Sequence, residues 1–108
     1  MSKINKTEAM TIAQQFARRV RSELDKDAEV YLFGSAARDE TREGSDIDIA
    51  VVSKIFGNDF SGDFVKINRI ACDIDLGIEA YPINYKEWGK RITPFIKQIR
   101  KDGIAAWK

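Results

Sequence analysis

Histidine is absent from the 108 residues, and cysteine occurs once, as Cys72. Without histidine there is no Ser-His-Asp or Cys-His nucleophile and no His-ligated metal site. One cysteine excludes an intramolecular disulfide and a Cys-rich zinc site. Proline is scarce, at two residues, and no charge sign dominates: 18 basic against 17 acidic residues leave a formal net charge of +1. A protein held to nucleic acid mainly through phosphates carries a basic excess, so a nucleic-acid partner is not expected, a local patch aside. No apolar run approaches the ~20 residues of a membrane span, and the first ten residues lack the apolar segment of a secretory leader. The expected setting is soluble, reducing and cytoplasmic, with no membrane partner.

What is present is ordinary for a folded chain: 44% hydrophobic and 32% charged residues, enough apolar surface to offset the entropy of ordering. The length predicts a single domain over 1–108. Ala9, Ala13, Phe16, Ala17, Val20 and Leu24 recur three and four apart, which predicts a helix from Thr7, its N-cap, to about Leu24. Residues 28–34 read as a short buried strand, 35–45 as a polar loop with a helical turn after Ser35, and 46–52 as a second strand. Phe64, Ile67, Ile70 and Ala71 predict a helix from about Ser61 to Cys72. Alternation from Asp73 to Pro82 predicts a third strand, with Ile74, Leu76 and Ile78 on one side and Asp73, Asp75, Gly77 and Glu79 on the other. Asn84 with Glu87 predicts a capped helix through Trp88. Thr93-Pro94 predicts another, which Gly103 stops. The fold class is therefore α/β (α+β): a small mixed sheet of three or more strands, ordered α-β-β-α-β-α(-α) along the chain and covered by helices.

The chemistry concentrates where the first two strands meet. Asp46 and Asp48 lie two apart on a strand, so their carboxylates project in parallel, roughly 6–7 Å apart at the backbone. Carboxylates held so close repel unless a cation sits between them, and hard oxygen ligands select Mg²⁺ or Mn²⁺. Asp75 offers a third carboxylate from the acidic face of the later strand, with Glu79 of the same face in reserve. Gly34 lets the backbone approach a phosphate, Ser35 can donate to it, and Arg38 lies one turn further on. Metal, donors and a cation around a triphosphate are the parts that phosphoryl or nucleotidyl transfer requires.

Tyr31-Leu-Phe-Gly-Ser-Ala-Ala-Arg38, followed by Gly44-Ser-Asp-Ile-Asp-Ile-Ala-Val51, resembles the signature of the DNA-polymerase-beta-type nucleotidyltransferase superfamily. The short length matches its minimal nucleotidyltransferases (MNT proteins). The resemblance covers residues ~29–80 and maps Gly34, Ser35, Asp46 and Asp48 directly. The third acid in relatives often has an Ile-Asp-hydrophobic setting, matched by Ile74-Asp75-Leu76. The resemblance implies transfer of a nucleoside monophosphate, AMP being expected, from an NTP such as ATP to a hydroxyl. Asp46 and Asp48 would bind metal; Asp75 would bind metal and help deprotonate the acceptor. It also implies a protein acceptor, as where MNT proteins pair with HEPN-domain toxins. Asp39 stands where the family pattern frequently has glycine, which bears on the shape of the phosphate loop.

Each feature also has a plainer reading. An isolated Asp-x-Asp is common on surface strands, and Ser35 could simply cap a helix. Arg38 could be a solvated surface residue and Glu79 an exposed strand residue. Asp73 would start a strand or end a helix, and Cys72 would be a small core residue. Trp88 and Trp107 lie in an apolar C-terminal region that is short of cover, which predicts docking of a partner or a second copy there. Two other functions remain beside the enzyme acting on a protein: a non-catalytic, antitoxin-like binding module, and a nucleotidyltransferase for a small aminoglycoside-like hydroxyl compound.

Overall fold

The computed structural model describes residues 4–42, 44, 46–90 and 93–108. Ser45 of the motif lies outside the described residues.

Helix α1, Lys6–Glu23, buries Ala9, Ala13, Phe16, Ala17 and Val20. Its N-cap is Asn5 and not Thr7: the Asn5 side chain accepts from the Glu8 N–H at 2.8 Å while the Glu8 carboxylate accepts from Asn5 N–H. This reciprocal pair satisfies two otherwise unpaired backbone donors. Strand β1, Glu29–Phe33, leads into a single helical turn, α2, Gly34–Ala37. Strand β2 is Ile47–Ser53, and α3 is Phe60–Ile74, capped by the Asp59 side chain on the Gly62 N–H. Strand β3 is Ile78–Asn84 and α4 is Tyr85–Lys90. Helix α5, Pro94–Asp102, starts with the Thr93 hydroxyl accepting from Ile96 N–H and ends at Gly103. The tail adds a two-residue strand, β4, Ile104–Ala105, which the sequence reading missed.

The four strands form one sheet in the order β3-β2-β1-β4. β1 pairs antiparallel with both β2 and β4, whereas β2 and β3 run parallel. Parallel neighbours need a long crossover, and α3 supplies it. Strand alternation divides the sheet into two faces. Val30, Leu32, Ile47, Ile49, Val51, Ile78 and Ala80 face a core closed by α1 and α3. Phe33, Ala50, Val52 and Ile83 face Trp88, Ile96 and Ile99 from the two C-terminal helices. Asp48 has the parity of Ala50 and Val52, so it lies on this second face.

The outer edge of β3 is closed to further strands. Asn68 of α3 donates to Ala80 C=O at 2.9 Å and accepts from Ala80 N–H at 3.0 Å. The Ile78 N–H goes to Asp75 C=O, and Pro82 has no N–H to offer. Edge strands so occupied do not template pairing with other chains.

Several expectations are corrected. β3 starts at Ile78 and not at Asp73, because α3 continues through Ile74, whose side chain packs on the core below Ile67, Ile70 and Ala71. Leu76 therefore sits in a turn and is 86% exposed. Cys72 is exposed on α3. Asp73 neither starts a strand nor caps a helix but approaches Arg19 at 3.5 Å. Trp88 is buried, stacked on Tyr31 with ring centroids 5.0 Å apart, and Trp107 packs edge-on against the same tyrosine at 5.1 Å. The two tryptophans are thus partners of Tyr31, Trp88 buried and Trp107 half-buried.

Candidate active site

The junction of β1 and β2 sets the site. Phe33 pairs with Asp48 across the antiparallel ladder, so the chain leaving Phe33 passes directly over the Asp48 side chain. Gly34 occupies that crossing with φ +73°, and a Cβ there would lie 2.6 Å from Asp48 Oδ2. Only glycine fits, both for its left-handed backbone and for the closeness of the carboxylate. The tight turn and its acid are therefore one unit, although fourteen positions separate them in the chain.

Asp48 has a second neighbour. In the parallel β2–β3 register it lies opposite Glu79, and strands in a sheet run about 4.8 Å apart. Asp46 lies two residues upstream, exposed, just before the strand begins. The electrostatics mark these three as a group. The Asp48 carboxyl is pushed up to about 6, first by burial, then by the negative charges of Glu79 and Asp46, with Arg38 opposing the rise. Burial also raises the Tyr81 hydroxyl, as do the neighbouring Glu79 carboxylate and the charges of Asp48 and Asp46. Tyr81 thus belongs to the same cluster.

Asp75 is not brought to this row. It caps the C-terminus of α3, and its Oδ1 accepts from Gly77 N–H at 2.7 Å, closing the turn into β3. The alternating pattern put Asp75 and Glu79 on one strand face; the structure puts only Glu79 on the strand. Glu79, the reserve acid, is the one opposite Asp48.

Arg38 follows α2 and lies at the rim. Its Nη1 binds Asp102 Oδ2 of α5 at 2.8 Å, and its Nε approaches Glu40 at 3.4 Å. Gln98, one turn earlier on α5, also donates to Asp102. The guanidinium acts on Asp48 from there without touching it. Ser35, at the second position of α2, is half-buried. Asp39 adopts φ +58°, the left-handed conformation that glycine takes freely and aspartate tolerates better than most. Its Oδ1 also accepts from Lys6 N–H at 3.1 Å, tying the loop to the start of α1.

Beside the acids lies an aromatic group that the sequence reading did not single out as part of the site. Phe33, Tyr81 and Phe95 contact one another, with centroids 5.4–5.6 Å apart and mostly edge-on. The available signal was spacing: Glu79 and Tyr81 are two apart on one strand and must share a face.

Among the described residues, no three acidic or thiol side chains form a ready-made metal cage. The donor set nevertheless fits a divalent cation. Asp46, Asp48 and Glu79 offer hard oxygens, and their mutual repulsion at Asp48 is what a bound cation would relieve. Among the described residues, no helix is long and apolar enough to cross a membrane.

The sequence matches the nucleotidyltransferase domain family over residues 13–105. Among solved structures, a candidate nucleotidyltransferase from Sulfolobus solfataricus superposes with a TM-score of 0.67 at 27% sequence identity, covering 95% of this chain and 83% of that one. No curated protein matches the chain. The matched segment contains the Gly34 turn, the Asp48–Glu79 pair and all four strands, and on this ground the chain belongs to the nucleotidyltransferase domain family, as a minimal nucleotidyltransferase enzyme.

Proposed function

We propose that the enzyme moves a nucleoside monophosphate, AMP in the first instance, from an NTP to a hydroxyl on a partner protein, with Asp46, Asp48 and Glu79 holding Mg²⁺ or Mn²⁺. The observation that carries this reading is the approach of the Gly34 backbone to Asp48 beside Glu79. What supports it further is that Gly34 and the following Ser35 stand at the same β1–β2 junction as the carboxylate row. When bound, the cation neutralises phosphate charge and orients the triphosphate for in-line displacement.

The chain's own residues account for the rest. Gly34 leaves room for a phosphate against the main chain, and Ser35 can donate a hydrogen bond to it. Arg38 can exchange Asp102 for a phosphate oxygen, since both are anionic acceptors for the same fork of N–H groups. The acceptor oxygen attacks the α-phosphorus, the bond to the bridging oxygen breaks, and pyrophosphate leaves. The proton of the acceptor hydroxyl passes to a carboxylate of the row, and Glu79 takes this role in place of Asp75. The near-neutral charge of the chain gives little support to a nucleic-acid acceptor. A protein acceptor, of the HEPN kind that the motif resemblance implies, is the reading retained.

The test is label transfer from α-labelled ATP with Mg²⁺ to the protein encoded beside this one. Wild type is expected to label it. Asp46→Asn and Asp48→Asn are expected to lose about a hundredfold or more, the equivalent of roughly 3 kcal/mol of charge stabilisation. Equal labelling by wild type and both variants would remove the carboxylates from the mechanism. Neutralisation of the partner by a double Asp46/Asp48 variant at equimolar ratio would favour the stoichiometric alternative.

A further inference from the structure

The two edges of the sheet differ. Asn68 and Pro82 close the edge at β3, whereas no side chain among the described residues bonds the backbone of β4 at the other. Ala106 N–H donates to Val30 C=O at 2.8 Å, so in the antiparallel β1–β4 ladder the preceding Ala105 turns its N–H and C=O outward. So short an edge gives little pairing alone, and what lies beside it selects the occupant. Directly beyond β4 the chain lines a cleft of about 340 Å³ with α1, Trp107 and Lys108 on one side and Gln14, Arg18 and Arg21 on the other. No carboxylate lines it. Arg19, which points elsewhere, pairs with Glu23 and Asp73. Arg18 is exposed and, among the described residues, pairs with no carboxylate. Arg21 donates its Nε to the Lys26 carbonyl at 2.7 Å, which fixes the guanidinium without neutralising it. Lys108 stands over the Trp107 ring, 5.4 Å from its centroid. In a chain of net charge +1, three cations and no acid around one cleft are a marked local excess.

We infer that β4 and this cleft take an extended acidic segment of a partner protein, its main chain adding to the sheet at Ala105 and its carboxylates reaching Arg18, Arg21 and Lys108. An added strand shows alternate side chains to one side, so acids at every second position meet the cations while the main chain pairs with the edge. A nucleic-acid strand meets the cations but has no amide ladder to offer Ala105. The surface is independent of the carboxylate row: it concerns how a protein is held, not what is transferred to it. Arg18→Glu reverses one exposed charge. Ala105→Pro removes the outward N–H alone, because the inward bonds belong to its neighbours.

The experiment is fluorescence anisotropy of the whole protein at low salt with a short labelled peptide alternating Glu with Thr. Its Lys-for-Glu counterpart and a labelled oligothymidylate are the controls, and thermal melting checks each variant. The Glu peptide is expected to bind and the Lys peptide not to. Arg18→Glu is expected to weaken binding about tenfold and Ala105→Pro about fivefold, with melting temperatures near wild type. Absence of binding to wild type, or equal binding by Arg18→Glu, overturns the proposal. Binding that Arg18→Glu weakens and Ala105→Pro leaves unchanged overturns the strand addition. Oligothymidylate bound as tightly as the Glu peptide makes the cleft a general polyanion surface, and a wild-type dimer that Arg18→Glu dissociates gives it to a second copy; either overturns the acidic partner. Should a variant fail to fold, Lys108→Glu replaces Arg18→Glu, and a peptide N-methylated at alternate residues replaces Ala105→Pro, with the same outcomes deciding.

Discussion

Strand β2 carries the candidate-site acid at one end and meets a structural acid at the other. At its start, Asp48 faces Glu79 and Asp46, and burial plus their charges push it up to about 6. Beyond its last residue, Ser53, the buried Asp25 sits among Asp27, Glu29, Lys54 and Tyr85, which line a cleft with it. Both ends are acidic, and both have clefts or turns beside them. Burial pushes Asp25 up as well, but it is outweighed. The Ser53 hydroxyl donates to Asp25 Oδ2 at 2.6 Å and the Asp27 N–H to Oδ1 at 2.9 Å, while Lys54 and Arg21 add favourable charge, leaving the carboxyl below its usual range. An acid whose needs are met by its own fold has no use for a ligand. The unmet carboxylate is the one at the site.

That contrast can be broken by experiment, most strongly through activity. Exchanging Asp48 for Asn is expected to abolish transfer, by about a hundredfold or more, whereas Asp25→Ala leaves the rate per folded molecule unchanged. A comparable loss of rate from Asp25→Ala would show that the far end takes part in the reaction. Stability should respond in the opposite order. Asp25→Ala leaves the buried Ser53 hydroxyl and Asp27 N–H without their acceptor, at about 1–3 kcal/mol. That corresponds to a fall of about 4–8 °C in melting temperature per kcal/mol for a domain of this size. Asp48→Asn should instead raise the melting temperature of the metal-free protein at pH 7, and a fall would contradict the unmet charge assigned to it.

The two acids also differ in the sign of their pH dependence. Asp25 is depressed in the fold, so its contribution is present above the unfolded value near 3.9 and is lost as pH falls through the folded value. Asp48 is raised, so its contribution is present below about 3.9 and is lost as pH rises through about 6. Metal-free Asp48→Asn should accordingly match wild type near pH 4 and exceed it increasingly up to pH 7. Asp25→Asn should differ most from wild type at neutral pH and converge on it in acid. Melting curves between pH 3 and 7.5 check both, and parallel profiles would remove the distinction. The smallest expected effect lies in the loop that leads from α2 into β2. Asp39→Ala places a residue less tolerant of φ +58° there and removes the bond to Lys6 N–H, at about 1 kcal/mol.

Much of this was legible in the chain. The core side of α1 follows its three-and-four spacing, Thr93-Pro94 opens α5 and Gly103 ends it, and the Gly34-Ser35 and Asp46-x-Asp48 elements flank one junction. The misreadings share a cause. Between Ile67 and Ile78 a helical and a strand pattern overlap, since Ile74 fits the series Ile67, Ile70, Ala71 as well as the alternation Ile74, Leu76, Ile78. The helix prevails because Ile74 reaches the core from α3, and Asp75 then closes a turn on Gly77. The tail strand β4 was missed because two residues carry no period; it exists through its pairing with β1.

The sequence by itself determined the donor set: acids, a glycine turn and hydroxyls, with histidine and cysteine chemistry removed, on an alternating α and β frame. These follow from residue identity and local periodicity, which need no partner in space. Which third acid faces Asp48 and where Arg38 rests were decided by the tertiary structure. Strand register advances in single residues, and each step turns a side chain to the opposite face. The step is set by where α3 stops and by how α5 packs on the sheet, contacts between segments far apart in the chain. Glu79 therefore meets Asp48 through the end of a helix as much as through its own position in the sequence.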